Sequence, residues 1–254
     1  MVRAGATRRL DDACRTVAVL SVHHTVAETG STNTDLLAMA RDGAAEGTWL
    51  RAERQTAGRG RQGREWRSPP GNLYASTLVR LRPADPPAAS LALVAGIALY
   101  HGIETLGAPA VRLKWPNDMM LGDAKVAGVL LEREGDAVVI GFGVNVASHP
   151  ELAERKTAAL APFLWPQVTL ADVWHLLDRE IGIWRDRWRA EGLGPIVHRW
   201  EQCAHAIGTP LTVRPGRGEA IEGLYDGLDA DGALMLRLAT GERRAIHAGD
   251  VFLV

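Results

Sequence analysis

The sequence has only two cysteines, Cys14 and Cys203, among 254 residues. That excludes a disulfide framework and a cysteine-built metal site, and it suits a reducing cytoplasm. There is no surplus of positive charge either, with 29 Lys and Arg against 30 Asp and Glu and a net charge of −1. A general nucleic-acid binder usually carries a basic excess, so none is expected here. No apolar stretch follows Arg3, Arg8 and Arg9, because Asp11 and Asp12 stand where a signal peptide needs its hydrophobic segment. The longest uncharged run, Pro86 to Ile103, opens on two prolines, is rich in Ala and Gly, and contains Ser90 and His101. It reads as a buried core helix, not a membrane span. The eight histidines show no metal-ligand spacing, and His23-His24 reads as surface. Internal repeats, low-complexity tracts, a G-x-S-x-G elbow and a Walker-type loop are all lacking. What is there is globular in composition, with 46% hydrophobic and 23% charged residues.

After a loose leader, residues 16–22 read as a strand. In GSTNTDLLAMARDG, Thr32 can cap a helix with Asp35 three residues on, Leu36, Leu37 and Ala40 form its apolar stripe, and Gly43 closes it. Strands are expected over 48–54 and 72–80, with a Gly/Arg loop at 58–65 and the buried helix over 88–106. Short strands follow as VRLKW, NDMML, KVAGVLLE and AVVIGFGVNV, then helices near 169–190 and 195–206. Trp174, Trp184 and Trp188 share an amphipathic helix and are expected in the core. From Gly208 the chain changes to short alternating strands, with DADG and TGER as hairpin turns. This spacing indicates a small SH3-like β-barrel over 208–254, after a first domain over 1–207.

Four segments carry chemistry. In Gln55 to Trp66, the glycines free the backbone to wrap an anion, while Arg59, Arg61 and Arg64 supply planar cationic donors. A solvated basic loop or an RNA-contacting loop has the same letters. In Lys114 to Gly128, Gly122-Asp123 reads as a hairpin turn pairing Leu121 with Ala124, Met120 with Lys125 and Asp118 with Ala127. Asp118 and Lys125 then share a face, either to hold a metal-bound nucleotide or as an ordinary cross-strand ion pair. Pro116 turns the chain between two strands. In Gly141 to Val146, Asn145 can read an adenine or ribose edge, or simply end a strand. Ser31-Thr32-Asn33 either caps its helix or holds a small polar group at the helix start.

Ser31-Thr32-Asn33, the loop Gly58 to Trp66, Lys114-Trp115-Pro116-Asn117-Asp118 with Lys125 and Gly128, and Gly143 to Asn145 occur in this order. Together they resemble the biotin protein ligase family over roughly residues 20–254. The resemblance implies an α+β fold, with a class II synthetase-like catalytic domain of mixed sheet and helices before the SH3-like barrel. It implies that biotin and Mg2+-ATP give biotinyl-5′-AMP, and that a lysine of a biotin carboxyl carrier protein, as in acetyl-CoA carboxylase, then receives the biotin. By position, Ser31, Thr32, Asn33 and Gln55 should meet biotin's ureido head, with Gly128 beside its rings. Arg59, Gly60 and Arg61 should run along the valerate and phosphate, and Lys125 should meet the carboxylate and α-phosphate. Arg64, Trp66, Asn117 and Asn145 should contact ATP or the adenylate, and Asp118 should orient the incoming lysine or a metal; the resemblance names no metal ligands. Residues Ala147 to about Leu160 occupy the place of the family's adenylate-covering loop, and Trp165, beyond it, is a candidate for stacking on adenine.

Two departures stand out. Gly30 replaces the acidic residue that many relatives carry before Ser-Thr-Asn. The thirty residues before Ser31 are too few for the winged-helix domain of bifunctional members, so specific DNA binding is not expected. No membrane association is expected, and a homodimer is compatible with the family. Lipoate and octanoate ligases share the superfamily fold but lack the GRGRxGRxW loop. An RNA-binding module conflicts with the net charge, and a dead scaffold conflicts with intact Arg59, Arg61 and Lys125.

Overall fold

The computed structural model describes residues 21–253 except 109, 154 and 216–218. The strand expected over 16–22 falls almost wholly outside the described residues. The first strand seen is β1 (Val22–Thr29), whose sequence VHHTVAET lacks a clear apolar alternation and whose residues are mostly exposed. It sits at the edge of a sheet, held by parallel pairing with β2 (Thr48–Gln55). The sheet continues through β3 (Leu73–Arg80), β7 (Ala137–Val144), β6 (Ala124–Glu134), β5 (Asp118–Leu121) and β4 (Val111–Lys114), each antiparallel to its neighbour. The strands expected from residue 48 to residue 146 are present to within a few residues.

Alternate residues along these strands face opposite ways, and the two faces differ in chemistry. Leu73, Ala75 and Val79 of β3 and Val138, Ile140, Phe142 and Val144 of β7 join the main core. Over it lie α2 (Leu91–Thr105), α3 (Leu170–Glu191) and α4 (Gly194–Cys203). Sandwiched between sheet and helices, α2 is apolar on nearly every side. The stretch Ala88–Thr105 is long and apolar enough to cross a membrane, yet it is mostly buried and serves as the core helix. A capping box of Thr169 and Asp172 starts α3. Its Trp174, Trp184 and Trp188 recur at helical spacing and are buried, as the sequence predicts, and Leu177 and Ile181 are buried with them. Trp188 donates its indole N–H to Ser90 Oγ at 2.8 Å. Cys203 is also buried, which pushes its thiol up to about 11.

On the opposite face, α1 (Thr32–Arg41) packs Leu36 and Ala40 on Leu50, Leu78 and Val139. The expected cap differs in detail. Ser31 is the N-cap residue and makes no side-chain capping bond, whereas Thr32 turns inward to Gln55 and Ser76. Asp35 instead accepts from Thr29 Oγ1. The helix start is thus shaped by tertiary partners, not by a local cap.

The chain after α4 forms a second sheet of five antiparallel strands, ordered β11-β10-β9-β8-β12. These are β8 (Pro210–Arg214), β9 (Ile221–Leu228), β10 (Leu234–Arg237), β11 (Arg243–Ile246) and β12 (Asp250–Leu253). The DADG and TGER turns fall where expected, with Gly232 and Gly241 at φ of 85° and 86°. This sheet docks on the first through Trp115 Nε1 to Gly232 O at 3.1 Å and Lys114 Nζ to Val251 O at 2.9 Å. That docking brings β12 to the rim of the cavity described next.

Candidate active site

The cavity, of about 410 Å³, opens on the α1 face of the large sheet. Its floor is unusually bare. Where the core face carries Ile140, Phe142 and Val144, the same strand presents Gly141 and Gly143 here, and β6 adds Gly128. Space, not backbone conformation, requires these glycines. A Cβ at Gly141 would stand 2.2 Å from Asn33 Oδ1, and one at Gly143 would stand 2.4 Å from Trp66 Cε2. At Gly128 it would meet Lys125 Nζ at 2.9 Å and Trp66 Cζ3 at 3.3 Å.

One end of the cavity is a compact hydrogen-bond network at the start of α1. Ser31, Thr32 and Asn33 are all buried. Gln55 Oε1 accepts from Thr32 N at 2.9 Å and from Thr32 Oγ1 at 3.1 Å. Ser76, fully buried on β3, lies 2.7 Å from Thr32 Oγ1 and 2.6 Å from Asn33 Oδ1. The Asn33 amide nitrogen donates to Leu130 O at 3.3 Å and to Glu132 Oε2 at 2.8 Å.

The other end is cationic. Lys125 Nζ is hydrogen-bonded to Asp118 Oδ1 and stands 5.4 Å from the Trp66 ring centroid, while Lys114 Nζ lies 3.5 Å from Asp118 Oδ2. Burial pushes the Lys125 ammonium below the usual lysine range, with Asp118 opposing that shift. Burial also disfavours the charged Asp118 carboxylate, but Lys125 and Lys114 outweigh it and hold the carboxyl below its ordinary range. The hairpin register differs from expectation at this point. Leu121 pairs with Ala124 and Met120 with Lys125 as expected, but a bulge between Met119 and Met120 places Asp118 opposite Gly128 instead of Ala127. The extra residue keeps Asp118 and Lys125 in contact and leaves bare Gly128 backbone on the cavity floor.

The Gly/Arg loop crosses above. Arg61 Nη1 reaches Asn117 Oδ1 at 3.4 Å and Gly249 O at 3.3 Å, and burial pulls its guanidinium below the ordinary arginine value. Arg64 forms a bidentate pair with Asp250 of β12, at 2.7 and 3.1 Å. Arg59 Nη2 donates to Thr34 Oγ1 at 2.9 Å and to Glu132 Oε1 at 3.0 Å. Gly60 N donates to Arg64 O at 2.7 Å, closing the loop on itself.

A second loop, after β7, forms the remaining wall. Asn72 accepts from the backbone N–H groups of Val146, Ala147 and Ser148 at 2.8, 2.9 and 3.2 Å. Lys125 N donates to Lys156 O at 2.9 Å and Ala158 N donates to Lys125 O at 3.1 Å. The loop is therefore stitched to the backbone of the cavity's central lysine. Asn145 lies beneath it, with Nδ2 3.3 Å from Ala158 O.

Fourteen of the residues expected at the site from sequence line this one cavity: Ser31, Thr32, Asn33, Gln55, Arg59, Gly60, Arg61, Arg64, Trp66, Asn117, Asp118, Lys125, Gly128 and Asn145. Trp165 does not; it is 58% exposed and covers Gly107. Ser76, Glu132, Asn72 and Asp250 were not singled out by sequence, because their partners lie far along the chain. Among the described residues no group of three His, Cys, Asp or Glu could hold a metal ion. The arrangement offers a polar socket, a bare floor and a cationic end, which suits a small amphiphilic carboxylate laid against a polyanion.

Comparison with known proteins agrees with that chemistry. Residues 27–145 match the biotin/lipoate A/B protein ligase family, and residues 206–254 match the biotin protein ligase C-terminal domain. A biotin–[acetyl-CoA-carboxylase] ligase of Paracoccus denitrificans is 38% identical over 244 residues, covering 89% of this chain and 98% of that protein. The bifunctional ligase/repressor BirA of Escherichia coli is 40% identical over 200 residues, covering 73% of this chain and 60% of BirA. The structure is similar to a biotin protein ligase from Aquifex aeolicus in complex with biotin and ATP. There the TM-score is 0.81 at 25% identity, with 92% of this chain and 99% of that one covered.

Proposed function

The chain belongs to the biotin protein ligase family and has biotin–[acetyl-CoA-carboxylase] ligase activity, and from that premise we propose how its own residues divide the two steps. In the first step a biotin carboxylate oxygen attacks the α-phosphorus of ATP, the bond to the bridging oxygen breaks, and pyrophosphate leaves. In the second, the neutral amine of a carrier-protein lysine attacks the acyl carbon of biotinyl-5′-AMP. The acyl–oxygen bond breaks, AMP departs, and the amine loses its proton.

The observation that carries this division is Lys125, whose ammonium projects between Trp66 and Asp118 over the glycine floor. A fixed cation there offsets the repulsion between carboxylate and triphosphate and stabilises charge developing on the α-phosphate. Arg61 and Arg64 extend the same field along the phosphates, with Arg59 and Gly60 nearer the valerate. Ser31, Thr32, Asn33 and Gln55 take the ureido head, whose two N–H groups and one carbonyl need both acceptors and donors. Gly128 lies beside the bicyclic ring, and Trp66, Asn117 and Asn145 take the adenylate. Asp118, held ionised by two lysines, orients Lys125 and faces the incoming amine. The loop over Ala147 to Leu160 covers the mixed anhydride and excludes water.

Magnesium is held mostly by phosphate oxygens and water in nucleotide sites, with one or two carboxylates. The donor set fits an ion that enters with ATP, with Asp118 as the cavity carboxylate nearest Lys125. It would shield phosphate charge during the first step. A biotin carboxyl carrier domain is the acceptor partner, and the cytoplasm is the compartment that fits a buried free thiol. We divide the chain into a catalytic unit over 1–207 and a C-terminal unit over 208–254.

The test is pyrophosphate release from ATP with biotin, lipoate or octanoate, followed by transfer to a carrier domain and avidin blotting. Release with biotin alone and a labelled carrier are expected. Turnover with lipoate but not biotin would overturn the proposal.

A further inference from the structure

Glu132 lies on β6 beyond the glycine floor, outside the four segments that carry the family resemblance. Its two carboxylate oxygens are divided between two segments. Oε2 accepts from Asn33 Nδ2 at 2.8 Å, and Oε1 accepts from Arg59 Nη2 at 3.0 Å. One acid thereby joins the start of α1 to the Gly/Arg loop.

The consequence is clearest at Asn33, which is buried. Its amide nitrogen has two hydrogens, directed at Leu130 O and Glu132 Oε2, and its oxygen lies 2.6 Å from Ser76 Oγ. Turning the amide over would bring its oxygen against the Glu132 carboxylate and leave two acceptors facing each other. The carboxylate, the nearer of the two acceptors and backed by Leu130 O, therefore holds Asn33 with an oxygen, not an NH2 group, on the cavity side. An amide oxygen has a second lone pair, so one acceptor remains for a ligand N–H. Gly141 supplies the room, since a Cβ there would overlap that oxygen.

We infer that Glu132 is a positioning residue for the ureido subsite: it fixes the Asn33 amide with its oxygen toward the ligand and tethers Arg59 beside it. The inference rests on the ligase reading above. Glu132 touches no reacting atom; it acts through Asn33 and Arg59.

The experiment is steady-state pyrophosphate release by Glu132→Ala, Glu132→Gln and Glu134→Ala beside the unmodified protein, with biotin and ATP varied separately. Glu134 follows on the same strand but pairs with Arg41, so its variant controls for loss of a carboxylate from β6. Glu132→Ala is expected to raise KM for biotin about tenfold or more, as loss of a hydrogen bond to a charged group does. KM for ATP should stay within about twofold, the scatter of a change outside that subsite. Glu132→Gln, which still offers an amide oxygen to Asn33 Nδ2, should recover most of the biotin KM, and Glu134→Ala should match the unmodified protein. Equal rises in both KM values, or a Gln variant as impaired as Ala, would overturn the inference, as would an unchanged biotin KM in a folded Ala variant. Failure of the ligase reading itself looks different: the unmodified protein would release no pyrophosphate with biotin.

Discussion

The two faces of the seven-stranded sheet are made from the same strands and serve opposite ends. On β7, Val138, Ile140, Phe142 and Val144 point to the helices, while Gly141 and Gly143 point to the cavity. On the helix face, side chains fill space and supply stability. On the cavity face, the absence of side chains makes room for ligand, and the neighbouring polar groups are held in place by one another. Charge follows the same division. Near the far end of α3, Arg189 pairs with both Glu46 and Asp85, and Arg185 lies 3.6 Å from Glu46, so that cluster is internally neutralised. In the cavity, Lys125 and Lys114 share the single carboxylate of Asp118, leaving net positive charge facing the open space. A pair that neutralises itself stabilises structure, whereas an uneven one is available for a ligand anion.

The comparison breaks if changes on one face move the property assigned to the other. The largest effect is expected at Trp188 of α3, fully buried and hydrogen-bonded to Ser90. Trp188→Ala should cost about 3–5 kcal/mol of stability by urea unfolding, while folded protein keeps its biotin KM. Next is Lys125→Ala, which should lower the rate of adenylate formation by about 10²- to 10³-fold with the fold retained. Near-normal pyrophosphate release would remove Lys125 from the catalytic role.

A smaller effect concerns pH. Burial, reinforced by Arg199, holds His101 below its ordinary value, and burial likewise lowers His205. A depressed histidine is neutral in the folded state, so the unfolded chain takes up the proton first as pH falls. The stability tied to that neutrality is present above about pH 6.5 and is lost progressively below it. Glu46 adds a lower window. Burial opposes its ionisation, but Arg189, the Arg80 N–H and Arg185 hold its pKa below 4.5, so its contribution is lost only as pH falls below that value. Urea unfolding at pH 7.5, 5.5 and 4 should show both losses, with the upper one reduced in His101→Gln.

The helix face was legible because it depends on repeated patterns. The period of Trp174, Trp184 and Trp188, the long apolar α2 and the β3 and β7 runs each announce a buried element over many residues. The cavity face was legible where its residues belong to short motifs or lie close to one, as in Gly58 to Trp66 and Lys114 to Gly128. Ser76 and Glu132 stand beside other polar residues of their strands, Thr77 and Arg133, and nothing local sets them apart; the partner Asn33 lies 43 and 99 residues away. The bulge between Met119 and Met120 has no letter of its own, because it follows from the extra backbone needed to oppose Asp118 to Gly128. Thr32 was misassigned as a cap for the same reason: its hydroxyl is claimed by Gln55 and Ser76, which no local pattern reveals. β1 escaped because an exposed edge strand needs no apolar alternation.

The most direct measurement is the affinity of a non-hydrolysable biotinyl-adenylate for Gly143→Ala and Ile140→Val, two substitutions three residues apart on opposite faces of β7. The added Cβ at Gly143 has no room beside Trp66, so its variant should bind about a hundredfold more weakly with stability little changed. Ile140→Val should bind normally and lose about 0.5–1.5 kcal/mol of stability. Equal affinities in the two variants would contradict the division between a packed face and a binding face.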